Sequence, residues 1–276
     1  MQTYDLIVID IDGTLLDSQN HVSDSLIPLF RAAEANGIGI TLSSGRPDLT
    51  VGPLVRELGL TLPYVSSGGA HIIDPVTGET IAYLTLDRSE IEVLARLGRA
   101  CAAGLIAMEP QRLYYEGSME KFTLVHEAND INLSTLEKIK TSIIQVTGIV
   151  QASAHPVKFT ISEMPVVLKQ VEKQLAAYNL PLYATYSSPV YLEFTHIDAN
   201  KGTALRRLAQ RLEIPLARTL VIGDSPNDLS MFTEAGTAIA MGNAPEQVRR
   251  VADMIAPSND DDGVAWVLRE LVLRER

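Results

Sequence analysis

Short apolar runs that stop dead at polar residues constrain this chain more than any other feature. Residues 5–9, "IGITLSS" (38–44), "TLVIGDS" (219–225), "TAIAMG" (237–242) and "MIAPS" (254–258) each read as a buried strand. Amphipathic stretches lie between them. "SDSLIPLFRAAEANG" carries Leu26, Leu29, Phe30 and Ala33 at helical spacing, with Ser23 expected as N-cap and Gly37 as stop. "KGTALRRLAQRLEI", "NDLSMFTEAG", "PEQVRRVAD" and "GVAWVLREL" repeat the pattern towards the far end. A β-α-β alternation requires right-handed crossovers and a parallel sheet, so the strands point their carboxyl ends the same way.

Between these ends the grammar changes. "HIIDPVTGETIAYL" predicts a hairpin with a Pro/Gly turn. From about 84 to 192, helices ("RSEIEVLARLGRACAAG", "LSTLEKIKTSIIQVT", "VVLKQVEKQLAAY") mix with strands that are shorter and more amphipathic ("RLYYEG", "VKFTISEM", "LYATYS", "VYLEF"). This predicts an antiparallel sheet with one face open, an α+β insertion. The expected fold is therefore α/β: a doubly wound, mostly parallel sheet core from residues 1–83 and 193–276, with an inserted α+β domain over 84–192. Tyr114, Tyr115, Phe122 and Phe159 are assigned to the core of that insertion.

A formal charge of −11 over 276 residues excludes broad binding to nucleic acid or anionic membrane, which needs a dense positive surface. The lone Cys101 excludes an intramolecular disulfide, and the five histidines are scattered without zinc-ligand spacing. No apolar run approaches the roughly 20 residues of a membrane span, and the first residues lack a leader pattern, so a cytoplasmic protein is expected. The sequence does not settle the oligomeric state.

In an open α/β sheet, ligands bind beyond the carboxyl ends of the strands. The polar clusters fall there: Asp10 and Asp12 in "VIDIDGTLLDS", Ser44 and Gly45 in "SSGR", Lys201 in "NKG", and Asp224 with Asn227 and Asp228 in "GDSPNDLSMF". Asp10 and Asp12 repel each other unless a cation neutralises them. With Asp224 they make a hard, all-oxygen donor set suited to Mg²⁺. An aspartate with a reference pKa of about 3.9 is ionised at neutral pH, so Asp10 could attack phosphorus without a separate base, while Asp12 does the proton work. Ser44 Oγ and the Lys201 ammonium are donors of the type that hold phosphoryl oxygens. Gly13 and Gly45 allow close backbone approach, and Thr14 braces the loop or caps the next helix.

These four motifs, in this order and separation, resemble those of the haloacid dehalogenase-like (HAD) superfamily. The insertion, with "AIAMGNAPEQVRRVAD" and "SNDDDGVA", resembles its Cof-type subclass IIB. The resemblance implies a Rossmann-like core, an α/β cap domain and Mg²⁺-dependent phosphomonoester hydrolysis through an aspartyl-phosphate. It implies Asp10 as nucleophile and Asp12 as acid/base and backbone metal ligand. It further implies Ser44, Lys201 and Asn227 at the phosphate, Asp224 on the metal, and Asp228 and Asn243 in support. Two positions depart from the pattern: Ser44 stands where Thr is commoner, and Gly68 of "SSGGA" where Asn is usual.

The substrate class this implies is a small phosphorylated metabolite, a sugar phosphate by resemblance. A phosphomutase of the same superfamily and a non-catalytic sugar-phosphate sensor are the alternatives. The GxxxxGK[ST], GxGxxG and GxSxG signatures are absent. Cap side chains set the leaving group, and the sequence does not place them.

Overall fold

A computed structural model of the chain describes residues 4–118 and 143–273. It divides into two compact units: Met1–Arg46 with Val51–Ala82 and Asn200–Arg276, and Pro47–Thr50 with Tyr83–Ala199. The second crossing thus falls at 199/200 and not at 192/193. The strand Tyr191–His196 runs across the expected boundary and pairs on both sides within the second unit.

The first unit is built on a parallel sheet in the order Met254–Ile255, Thr237–Ala240, Thr219–Gly223, Leu6–Ile9, Gly39–Leu42. Leu6–Ile9 is buried along its whole length, as a central strand covered on both faces must be. Burying each such aliphatic side chain stabilises the fold by about 1.5–3 kcal/mol. Register sets where the polar residues emerge. Ile9 pairs with Ile222 on one side and Leu42 on the other, so the three strands end almost level. Asp10, Ser43 and Asp224 therefore leave the sheet along one edge. A second, three-stranded sheet joins Tyr64–Ser66, His71–Ile73 and Thr80–Tyr83, and contains the predicted hairpin.

Local details differ from the sequence reading. The first helix begins at Leu26 with Ser25 before it, because Leu26 N–H bonds Ser23 O in a turn and Pro28 fits only the first turn. "NDLSMFTEAG" splits into a tight Pro226–Asp228 turn and the helix Leu229–Glu234. The helix Asp48–Leu58 and the strands Tyr64–Ser66 and Gly104–Glu109 were not predicted. "GLIAME" is a short apolar run beside a helix end, where periodicity alone does not separate strand from helix.

The second unit carries a six-stranded sheet in the order Leu182–Ser188, Tyr191–His196, Lys158–Ser162, Gly104–Glu109, Arg112–Glu116, Ile143–Gln145. Its pairs are antiparallel except the last, which is parallel, so the sheet is mixed and not wholly antiparallel. Most of the expected "LSTLEKIKTSIIQVT" helix lies outside the described residues, as does Phe122, and its end is the strand Ile143–Gln145. The helices Arg88–Ala100 and Pro165–Leu175 pack Ile91, Leu94, Leu168 and Val171 against Leu105, Phe159, Ile161 and Phe194 on one sheet face. Ile106, Leu113, Tyr115 and Tyr191 cluster on the other. Tyr114 and Phe159 belong to the first cluster and Tyr115 to the second.

One polar tie closes this unit. Arg99 donates to both Glu116 oxygens at 2.5 and 2.8 Å, and Glu116 Oε2 also accepts from Ile149 N at 2.8 Å. The Arg99 guanidinium and the Ile149 amide hold the Glu116 carboxyl below its ordinary range, against the opposing pull of burial. A group depressed in the folded state adds stability above its unfolded pKa, about 4.3, and loses it as pH falls through the folded value. Glu116→Gln is expected to cost about 1 kcal/mol at pH 7, since half-exposed Arg99 is screened by water. The difference should close towards pH 3, which melting curves across pH would measure.

No helix among the described residues is long and apolar enough to cross a membrane.

Candidate active site

Asp10 follows the central strand directly and is almost fully buried, at 4 % exposed. Lys201, first residue of the helix Lys201–Arg211, reaches it from a position held by the cap of Asn200, whose Oδ1 accepts from Thr203 N at 2.9 Å. The helix sits close because Gly202 has no Cβ; one would lie 2.7 Å from the Ser230 carbonyl carbon. The Lys201 ammonium donates to Asp10 Oδ1 and, at 2.5 Å, to Asp228 Oδ1. Asp228 is fully buried, and its other oxygen accepts from Asp224 N and Ser225 N, both at 3.0 Å. Thr14 Oγ1 donates to Asp224 Oδ1 at 3.1 Å.

The result is three carboxylates, Asp10, Asp224 and Asp228, each offering an oxygen within 4.8 Å of the others. One lysine does not balance them. Burial first, then the neighbouring carboxylates, push Asp10 well above its ordinary range despite Lys201. Asp224 is raised to about 6 by burial and by Asp228. Burial pulls the Lys201 ammonium down, but Asp10 and Asp228 more than reverse this and it is held charged. Asp10 therefore sits above the ordinary aspartate range, in a setting where added positive charge favours its carboxylate form. An all-oxygen donor set short of cation fits a hard divalent ion such as Mg²⁺.

Asp12 goes elsewhere. Its carboxylate, about half exposed, accepts from Arg46 Nε at 3.0 Å and from Nη2 at 2.6 Å. The two neighbouring aspartates have separate side-chain partners: Asp10 has Lys201 and Asp12 has Arg46. Arg46 stands in "SSGR", yet the sequence reading gave it no role. Asp228, expected in support, supplies the third carboxylate of the cluster in place of Asp12.

The other expected residues fall around this edge. Ser44 is fully buried; its N–H donates to Val65 O at 3.0 Å and its Oγ accepts from Arg46 N at 3.1 Å. A Cβ on Gly45 would lie 3.9 Å from Asn227 Nδ2, and Asn227 Oδ1 accepts from Ser225 Oγ at 2.8 Å. Gly13 has φ +75°, and a Cβ there would come within 2.9 Å of Asp224 Cγ, so both conformation and space demand glycine. Asn243 Nδ2 donates to Gly13 O at 2.8 Å, and its Oδ1 accepts from Asn259 N at 3.1 Å. Asn259 Nδ2 in turn donates to Leu16 O at 2.9 Å. Asn243 therefore props the Asp10–Leu16 loop from behind and does not join the carboxylates.

Comparison with known proteins bears on this arrangement. The profile of the haloacid dehalogenase-like hydrolases matches residues 7–268. Phosphatase YwpJ of Bacillus subtilis (strain 168) is 31 % identical, over 97 % of this chain and 99 % of its own length. The 5-amino-6-(5-phospho-D-ribitylamino)uracil phosphatase YcsE of the same organism is 28 % identical, over 97 % and 96 %. The crystal structure of a haloacid dehalogenase-like hydrolase from Bacteroides thetaiotaomicron superposes with a TM-score of 0.84 at 28 % identity, covering 96 % of this chain and 98 % of that one.

Proposed function

Since this chain belongs to the haloacid dehalogenase-like hydrolase family, we propose that it is a Mg²⁺-dependent phosphatase of small phosphorylated polyols or sugars, acting through an aspartyl-phosphate. One observation carries the reading: Lys201 bridges the buried Asp10 and Asp228 while the half-buried Asp224 completes a cation-deficient set of carboxylates. The likeness to phosphatases of similar length supports the reaction class. YcsE, whose name specifies a phosphorylated ribityl compound, supports a polyol ester.

In this mechanism Asp10 Oδ attacks phosphorus in line with the ester oxygen. The new Asp10 O–P bond forms as the P–O bond to the leaving group breaks. Asp12 delivers a proton to the departing alkoxide, then removes one from the water that attacks the acyl-phosphate, which returns Asp10 as a carboxylate and releases phosphate. Ser44 Oγ and the Lys201 ammonium donate to the phosphoryl oxygens as charge spreads over them. Arg46 holds Asp12 by two nitrogens and so restricts where the proton is delivered. Asp10, Asp224 and Asp228 would hold the divalent ion, with the Asp12 backbone carbonyl implied by family resemblance as a further ligand. When bound, the ion supplies positive charge that keeps Asp10 ionised and screens the incoming phosphate dianion.

A panel of phosphate monoesters assayed with Mg²⁺ tests the reading. Phosphate release from polyol or sugar esters, abolished by chelator and restored by Mg²⁺, is expected. Absence of release from every ester would overturn it, and isomerised ester appearing before free phosphate would assign a mutase instead.

A further inference from the structure

Ser230 stands inside "GDSPNDLSMF", yet the mechanism above gives it nothing to do. It is the second residue of the helix Leu229–Glu234 and lies against the start of the helix Lys201–Arg211. A Cβ on Gly202 would lie 3.2 Å from Ser230 Cβ, so the two helices meet at the residue that follows Lys201.

The contact completes the cap of the Lys201 helix. A first turn leaves N–H groups without partners inside the helix. Asn200 takes one of them, Thr203 N–H, through its Oδ1 at 2.9 Å. Gly202 N–H is buried, and it donates instead to Ser230 Oγ at 3.1 Å. An amide can only donate, so the Ser230 oxygen accepts here and its own proton goes elsewhere. That proton makes a longer bond, 3.4 Å, to Asn227 O, the carbonyl three residues back along the chain. One hydroxyl therefore ties the backbone beside Lys201 to the Pro226–Asp228 turn, which carries both Asn227 and the second carboxylate that Lys201 holds.

The aim of the ammonium is exacting. Lys201 Nζ carries three protons, of which one is directed at Asp10 and one at Asp228, so a single proton is left for a phosphoryl oxygen. A lysine stem is flexible, and only a fixed helix start keeps all three directions together. A misplacement of about 1 Å can cost about a hundredfold in rate.

We infer that Ser230 is a positioning residue for phosphoryl transfer: its hydroxyl locks the first turn of the Lys201 helix onto the Asn227–Asp228 turn, and so aims the remaining proton of the ammonium at the phosphoryl oxygens. The inference rests on the phosphatase reading. Ser230 acts through Lys201 and not by contact with the substrate.

The test uses the full chain with Mg²⁺ and two esters, the best polyol phosphate from the panel and p-nitrophenyl phosphate. Ser230→Ala should lose about tenfold in kcat on both, with KM within about twofold of the parent, because the contact serves the phosphoryl group they share and not the leaving group. Alanine suits a helix, so this variant should fold, which a melting curve checks. Ser230→Thr, whose hydroxyl can still bond the carbonyl three residues back, should stay within about threefold of the parent. Without the lysine the effect should vanish: Ser230→Ala added to Lys201→Met should change kcat by less than about twofold. A parental kcat in Ser230→Ala, equal losses in the alanine and threonine variants, or a further tenfold loss in the Lys201→Met background would overturn the inference while leaving phosphatase activity established. A parent enzyme inactive on every ester would instead remove the reading on which it rests.

Discussion

Lys201→Met should lose about 3–5 kcal/mol of stability at neutral pH, the scale seen when one partner of a buried ion pair is removed. Lys201 is 2 % exposed and is the hydrogen-bonded cation of two carboxylates that are themselves buried. Methionine keeps most of the volume, so the loss reports charge and hydrogen bonding, not a cavity. Asp10, Asp224 and Asp228 would then face one another without an ammonium. The distinguishing result is rescue: millimolar Mg²⁺ should raise the melting temperature of Lys201→Met more than that of the parent. Denaturant unfolding with and without the ion measures both. Activity should fall at least a hundredfold even with Mg²⁺, because a donor to the phosphoryl oxygens is gone. A variant as stable as the parent without metal would contradict the charge balance described for the cluster.

Asp10→Asn should behave in the opposite way, with turnover falling by about a thousandfold or more and stability changing by no more than about 1 kcal/mol. The amide is too poor a nucleophile to displace an alkoxide from phosphorus. In the fold, however, the substitution removes one negative charge from a cluster that has too many. Lys201 keeps Asp228 as its partner at 2.5 Å. Acid-quenched parent enzyme mixed with labelled ester should carry a phosphoryl group on protein, and Asp10→Asn should carry none. Retention of a tenth of parental activity by the variant would remove Asp10 from the nucleophile's role.

A residue's place at the sheet edge was legible in the sequence where it depends on local pattern, and hidden where it depends on a distant partner. Asp10 and Asp224 were legible because an apolar run that ends in an acid puts that acid at a sheet edge, and the level ends of the strands do the rest. Lys201 was legible only through its place upstream of "GDSPND", since a lysine at a helix start otherwise reads as a solvated surface group. The tie between Arg46 and Asp12, 34 positions apart, was not, since nothing local to either residue names the other. For the same reason Asp228 passed as a supporting group, although its burial makes it a full member of the cluster. The parallel pairing of Ile143–Gln145 with Arg112–Glu116 was hidden because a three-residue strand has too few positions to show a period.

The pairing of Leu6–Ile9 with Thr219–Gly223 also sets a timetable for biosynthesis. The strand that ends at Asp10 is made more than two hundred residues before its inner neighbour. Until then one flank of an entirely apolar segment stays unsatisfied, and the asparagines that prop its loop do not yet exist. During synthesis the carboxylate cluster therefore cannot assemble until the Thr219–Gly223 strand has been made, and the unpaired flank of Leu6–Ile9 is a place where a chaperone would help.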